Sequence, residues 1–164
     1  MDSYNANVLD VAAWIVQKAK QDEEAGDLMT HLKLQKLLYY AQAWIMVFTG
    51  KSLFEDEFEA WTHGPVSRRL WTALTGAGRA PIEEVPDGDA DSITDTEITE
   101  VLDDVWLIYG SKSAKFLEKL SHAEQPWLIA RGDLPLEAPC QVVIEKENMR
   151  NFYEQLNRTA QQAN

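Results

Sequence analysis

The chain has 164 residues, 45% of them apolar, enough for one packed core and too few for two; it has no need of a disulfide or metal to fold. Its formal net charge is −12, unevenly spread: ten acidic residues and no lysine or arginine lie between Ala80 and Ser111, leaving 17 acids against 15 bases elsewhere. Such a charge repels phosphate backbones and favours a basic partner, so no nucleic acid is expected as a ligand. A lone Cys140 excludes an internal disulfide, MDSYNANVLD lacks the form of a secretory signal, and no apolar run reaches the ~20 residues of a membrane span. A soluble, cytoplasmic domain is expected, with a core over about 8–156.

Asn7 can cap a first helix whose stripe is Val8, Val11, Ala12, Ile15 and Ala19, with Asp10 in the first turn and Gly26 beyond its end. A second helix starts near Thr30. Its apolar residues Leu34, Leu37, Leu38, Ala41, Trp44, Ile45 and Phe48 step by three and four, and Gly50 supplies the left-handed stop. Lys33, Lys36 and Tyr40 fall on its other faces. Phe58–Trp61 alternates like a strand, and Gly64-Pro65 punctuates a turn, with Pro65 suited to open a third helix faced by Val66, Leu70, Trp71 and Leu74 and closed by Gly76.

From residue 76 to 93 glycine, proline and aspartate dominate, and a solvated, partly mobile acidic loop is expected. Thr94-x-x-Glu97 has capping-box form before Ile98, Val101, Leu102, Val105, Ile108 and Tyr109. A shorter helix follows from Ser113 to Leu120, another turn or two around Pro126, and a β-prone run at 141–144. A last helix uses Met149, Phe152, Tyr153 and Leu156, before a tail, 157–164, without apolar anchors that should fray. The expected fold is mainly α, a compact single helical domain with two or three short β segments.

Chemistry-bearing patterns are few. His31, His63 and His122 form no i, i+4 ligand pair, there is no cysteine pair, and the glycines at 76 and 78 lack the lysine of a phosphate loop. Ser121 beside His122 is no nucleophile–base pair, and Cys140 reads as a small buried hydrophobe. No metal, cofactor or catalytic residue is assigned, and the chain is expected not to be an enzyme. Arg68-Arg69 beside Trp71 and Lys33/Lys36 beside Tyr40 are only fragments of a basic stripe. Six tryptophans remain, a residue type that serves both cores and interface hot spots. Trp14 and Trp106 fall beside their helices' stripes, as at a surface. Trp61, His63, Arg68, Trp71, His122 and Trp127 flank turns and are the candidate partner contacts; the alternative for Trp61 and Trp127 is that they lock those turns to the core.

Four segments in order, LKLQKLLYYAQAW, TGKSLFEDEFEAWTHGPV, VWLIYG and LSHAEQPWLIAR, resemble the successive signatures of the Panacea domain, the SocA-like antitoxin domain also found in phage-associated proteins. The resemblance extends from Val8 to about Leu156. His63 stands where the family more often has an aromatic, and Ser121 where threonine is common. The resemblance implies a mainly helical antitoxin that binds a co-encoded toxin directly. In one branch such a domain is a proteolytic adaptor handing its toxin to a cytosolic AAA+ protease. The family's toxins are chemically diverse, and no DNA-binding module is implied here.

Overall fold

Helix α2 (His31–Thr49) organises the molecule. A computed structural model describes residues 1–22 and 28–163; Gly26, expected past the end of the first helix, lies outside them. The Thr30 hydroxyl caps α2 by accepting from the Lys33 amide at 3.2 Å, and Gly50 closes it at φ 75°. Leu34, Leu37, Leu38, Ala41 and Ile45 are buried, as their spacing predicts. So, against expectation, are Lys33, Lys36 and Tyr40, none more than 1% exposed.

Neighbours on every side explain this burial. α1 (Val8–Gln21), α4 (Thr96–Tyr109), α5 (Ala114–Ala123), α7 (Lys146–Gln162) and strand β2 (Gly64–Ser67) all pack on α2, so its polar face is enclosed with its apolar one. An enclosed polar group must find a partner. Lys33 Nζ donates to Gly110 O at 2.7 Å and Lys36 Nζ to Pro65 O at 3.3 Å. Gln35 accepts from Ser67 N and donates to Ser67 O. Gln42 accepts from Leu53 N at 2.7 Å and donates to Phe54 O at 3.0 Å. Tyr40 and Tyr153 of α7 both donate to one oxygen of Glu124, at 2.7 and 2.8 Å, and Tyr40 stacks on Tyr109 at 4.2 Å. Burial raises the Glu124 carboxyl above its ordinary range, against the pull of the two tyrosine hydroxyls, and pushes the Tyr109 hydroxyl up to about 12.

The small sheet has the order β2-β1-β3, all antiparallel, with β1 (Phe58–Trp61) central and β3 (Val143–Ile144) on its other side. Contrary to expectation, Gly64-Pro65 does not open a helix. Both residues and Val66 belong to β2, where Gly64 lies opposite Trp61 and Pro65 opposite Ala60. An edge strand tolerates proline's missing N–H. Ser67 is the helix cap instead, and α3 (Arg68–Leu74) starts after it, followed by a 3-10 turn containing Gly76.

Elsewhere the helices stand near their expected places, with differences at their ends. Asn7 caps α1, accepting from Leu9 N at 2.8 Å. The cap of α4 is Asp95 rather than Thr94: the Asp95 carboxylate accepts from Glu97 N at 2.9 Å, and the Glu97 carboxylate accepts from the Tyr4 hydroxyl at 2.6 Å instead of closing a box. Trp106 is buried, its indole donating to Asp22 at 2.8 Å, and Trp14 is half-buried. Ile108, Phe48 and Leu156, all expected inside, are 56%, 52% and 40% exposed. α6 (Gln125–Arg131) carries Pro126 in its first turn, and Cys140 is buried. The acidic loop is irregular but anchored. Ile82 and Val85 are buried, Ile82 N donates to Met29 O, and Asp89 N and Ser92 Oγ both donate to the Asp10 carboxylate. The tail expected to fray stays helical to Gln162, although 158–163 are exposed.

Two stability measurements test this enclosure. Gln42→Ala strands the Leu53 amide and the Phe54 carbonyl and should cost about 2–4 kcal/mol in urea denaturation; a loss under about 0.5 kcal/mol, as for an exposed polar residue, contradicts it. Burial pushes the Lys36 ammonium from its ordinary 10.5 down to about 7, only partly opposed by Glu118. The unfolded chain then holds more protons between those values, so this site's penalty is full below about pH 7 and relieved as pH rises toward 10.5. Lys36→Met should therefore stabilise the protein by about 1–4 kcal/mol near pH 6, with the gain shrinking toward pH 9. A gain that does not vary with pH contradicts a buried, titrating lysine.

Candidate protein-binding site

The β1–β2 turn, α3 and the segment before β3 enclose a shallow groove of about 330 Å³. Trp61, Thr62, His63 and Val66 supply one side, Trp71 and Leu32 the other, and 139–141 the end. Alternation along β1 buries Phe58 and Ala60 and turns Glu59 and Trp61 the other way. Glu59 can then organise the surface. Its carboxylate takes two bonds from Arg68, at 2.8 and 2.9 Å, and one from the Trp61 indole at 3.0 Å. Those Arg68 bonds hold Glu59 below the usual carboxylate range. The guanidinium lies 5.6 Å from the Trp61 ring centre. Trp61 meets Trp71 at 5.1 Å, and Trp71 meets His31 at 4.8 Å. Trp61 is half-buried and Trp71 36% exposed, so both indoles still offer surface.

The turn itself is held from below and behind. Gly64 has φ 109°, and a Cβ there would sit 2.5 Å from Lys36 Cε and 2.9 Å from Ser121 Oγ. Only glycine lets the turn close onto the buried lysine. His63 points outward and bonds Glu118 through Nδ1 at 3.0 Å. Burial alone would raise Glu118, but His63, Lys115 and His122 outweigh it and lower the carboxyl.

Four of the six sequence candidates, Trp61, His63, Arg68 and Trp71, thus share one face, while Trp127 and His122 do not. Trp127 is 1% exposed and donates to Trp61 O at 2.9 Å, the turn-locking alternative. His122 stacks on Trp127 at 4.1 Å, with Nε2 buried and unpartnered, and burial depresses its ring below the ordinary histidine value. Arg131, passed over in the sequence, completes the support. It lies over the Trp127 ring at 4.7 Å and donates to the carbonyls of Ala60, Pro135, Leu136 and Ala138. A lone arginine at a helix end carries no sequence signal for such a role. Leu32 and Cys140 reach the groove only through tertiary packing. Among the described residues no cluster of three histidine, cysteine, aspartate or glutamate side chains is placed to hold a metal, and no helix is long and apolar enough to cross a membrane.

Comparison with known proteins adds the family. A family model described as antitoxin SocA-like, Panacea domain, matches residues 34–128, more than half of the chain, from within α2 past Trp61 and Trp71 into α6. The antitoxin SocA of Caulobacter vibrioides (strain NA1000 / CB15N) is 34% identical over 115 residues, 63% of this chain and 61% of that protein. The match therefore spans less than two thirds of the relative's length. No solved structure matches. The chain belongs to the Panacea-domain family of SocA-like antitoxins.

Proposed function

We propose that this chain is the antitoxin of a toxin–antitoxin pair, working in the cytoplasm, and that it neutralises a co-encoded toxin by seating part of it in the Trp61–Trp71 groove. The observation that carries the site is the pair of packed, partly exposed indoles, Trp61 at the braced turn and Trp71 on α3, inside the region that matches the antitoxin family. Tryptophans of this kind dominate binding energy where they enter a desolvated contact. The brace keeps the ordering cost of binding low, because Arg68, Glu59 and the turn are already in place. Inhibition by occupancy needs no chemistry from the antitoxin, only parity with the toxin. The acidic surplus between Ala80 and Ser111 suits a basic toxin and acts on its rate of arrival.

Trp71→Ala, at a partly exposed position on α3, should weaken binding to the product of the adjacent reading frame by about 30-fold or more in calorimetry, while the chain stays folded at a stability cost of about 1–2 kcal/mol from lost packing on Trp61 and His31. Unchanged affinity removes the groove from the reading. The association rate with the same product should fall from low to high salt while the dissociation rate barely moves, as stopped-flow mixing can show; a flat salt response removes the steering role.

A further inference from the structure

We propose that the cleft between the C-terminal half of α2, α4 and α7 is a second protein-docking surface, shaped for one amphipathic helix with a basic flank. It is separate from the hairpin groove and does not depend on the toxin reading.

Phe48, Leu107, Ile108 and Leu156 are 52%, 79%, 56% and 40% exposed, and all four line one cleft of about 330 Å³. Single exposed apolar side chains are ordinary on a protein surface, whereas four converging on one hollow mark a contact. The floor is prepared for an apolar occupant. Trp44 stacks on Phe48 at 5.6 Å, and its indole N–H is already committed to the Tyr109 hydroxyl at 2.9 Å. What it offers the cleft is ring surface with no unmet donor. The walls are helical on both sides. α4 contributes Asp104, Leu107 and Ile108 at i, i+3 and i+4, and α7 contributes Leu156 and Ala160 at i and i+4. A trough between two helices with side chains at this spacing takes the ridge of a third helix. α7 supplies its part of the wall because it stays helical to Gln162, in turns that are otherwise exposed.

Charge selects the occupant. Asp104 sits on the rim and has no ion-pair partner among the described residues, while its neighbour Asp103 is engaged by Lys18 at 2.9 Å. α4 carries Glu97, Glu100, Asp103 and Asp104 and no basic residue. A lysine or arginine on the flank of the incoming helix would meet Asp104. A second copy of this chain would bring acid to acid, and an anionic membrane would be repelled by the −12 net charge.

The test uses the full chain and a fluorescein-labelled peptide of about 18 residues, built of leucine and lysine with the leucines on one helical face. Its companions are a scrambled peptide of the same composition and a leucine–glutamate peptide of the same pattern. The leucine–lysine helix should bind, and both companions should bind at least about tenfold more weakly. Leu107→Gln with Ile108→Gln, both at exposed positions, should weaken binding about tenfold or more, and Asp104→Asn should weaken it at low salt and lessen its salt dependence. Trp71→Ala in the other groove should leave it unchanged. Equal binding of the scrambled peptide, or indifference to the double substitution, overturns the proposal. So does attachment to phosphatidylcholine–phosphatidylglycerol vesicles, or dimerisation in sedimentation, that the same double substitution abolishes while the peptide fails to bind.

Discussion

A helix enclosed on all sides along its central turns must satisfy its own polar side chains inside the protein, and α2 does so by bonding the backbone of the segments around it. Lys33 takes the turn after α4, Gln35 and Lys36 take β2, and Gln42 takes the stretch after Gly50. Each of these segments, two irregular stretches and one edge strand, has backbone groups that need partners, and α2 supplies them. The arrangement is costly in desolvation: the Lys36 ammonium and the Glu124 carboxyl are both pushed toward their neutral forms. In return, each loop has one position in which its buried groups are paired. A slip of the hairpin by one residue would unpair Gln35 and Lys36 together.

The same constraint shapes the surface. Lys36 fills the space beneath Gly64, Trp127 and Arg131 bond the backbone behind β1, and the turn between is held on two sides. Trp61 and Trp71 are therefore presented rather than packed away. Arg68 and Glu59 fix the Trp61 indole and leave it half-exposed. A groove braced in this way loses little freedom on binding, which suits a protein acting by occupancy.

Much of this was legible from residue patterns, and the failures have physical causes. The α2 stripe, the cap at Asn7 and the stop at Gly50 are local signals that hold in the fold, whereas the local box at Thr94-x-x-Glu97 does not, because Asp95 caps α4. Lys33, Lys36 and Tyr40 were misplaced because polar residues on a periodic helix are read as outward, and nothing in the period shows that a helix is surrounded. Phe48, Ile108 and Leu156 failed in the opposite sense: they keep the period of the core where the core has ended. Pro65 was ambiguous because proline suits both a first helical turn and an edge strand. Among the turn-flanking aromatics, Trp71 and Trp127 look alike in sequence. Whether an indole faces water or the core is decided by tertiary neighbours such as Arg131.

The account turns on a binding surface that is finished before its partner arrives. Hydrogen exchange on the free chain and on its complex with the adjacent reading frame's product tests this directly. The account predicts that the α2 amides exchange only through global unfolding in both samples. It also predicts that the partner slows exchange in the turn at 62–63 and at 68–74 without changing the already slow β1–β2 ladder. Fast local opening of that ladder in the free chain, or a complex that leaves the hairpin and α3 unprotected, would contradict it.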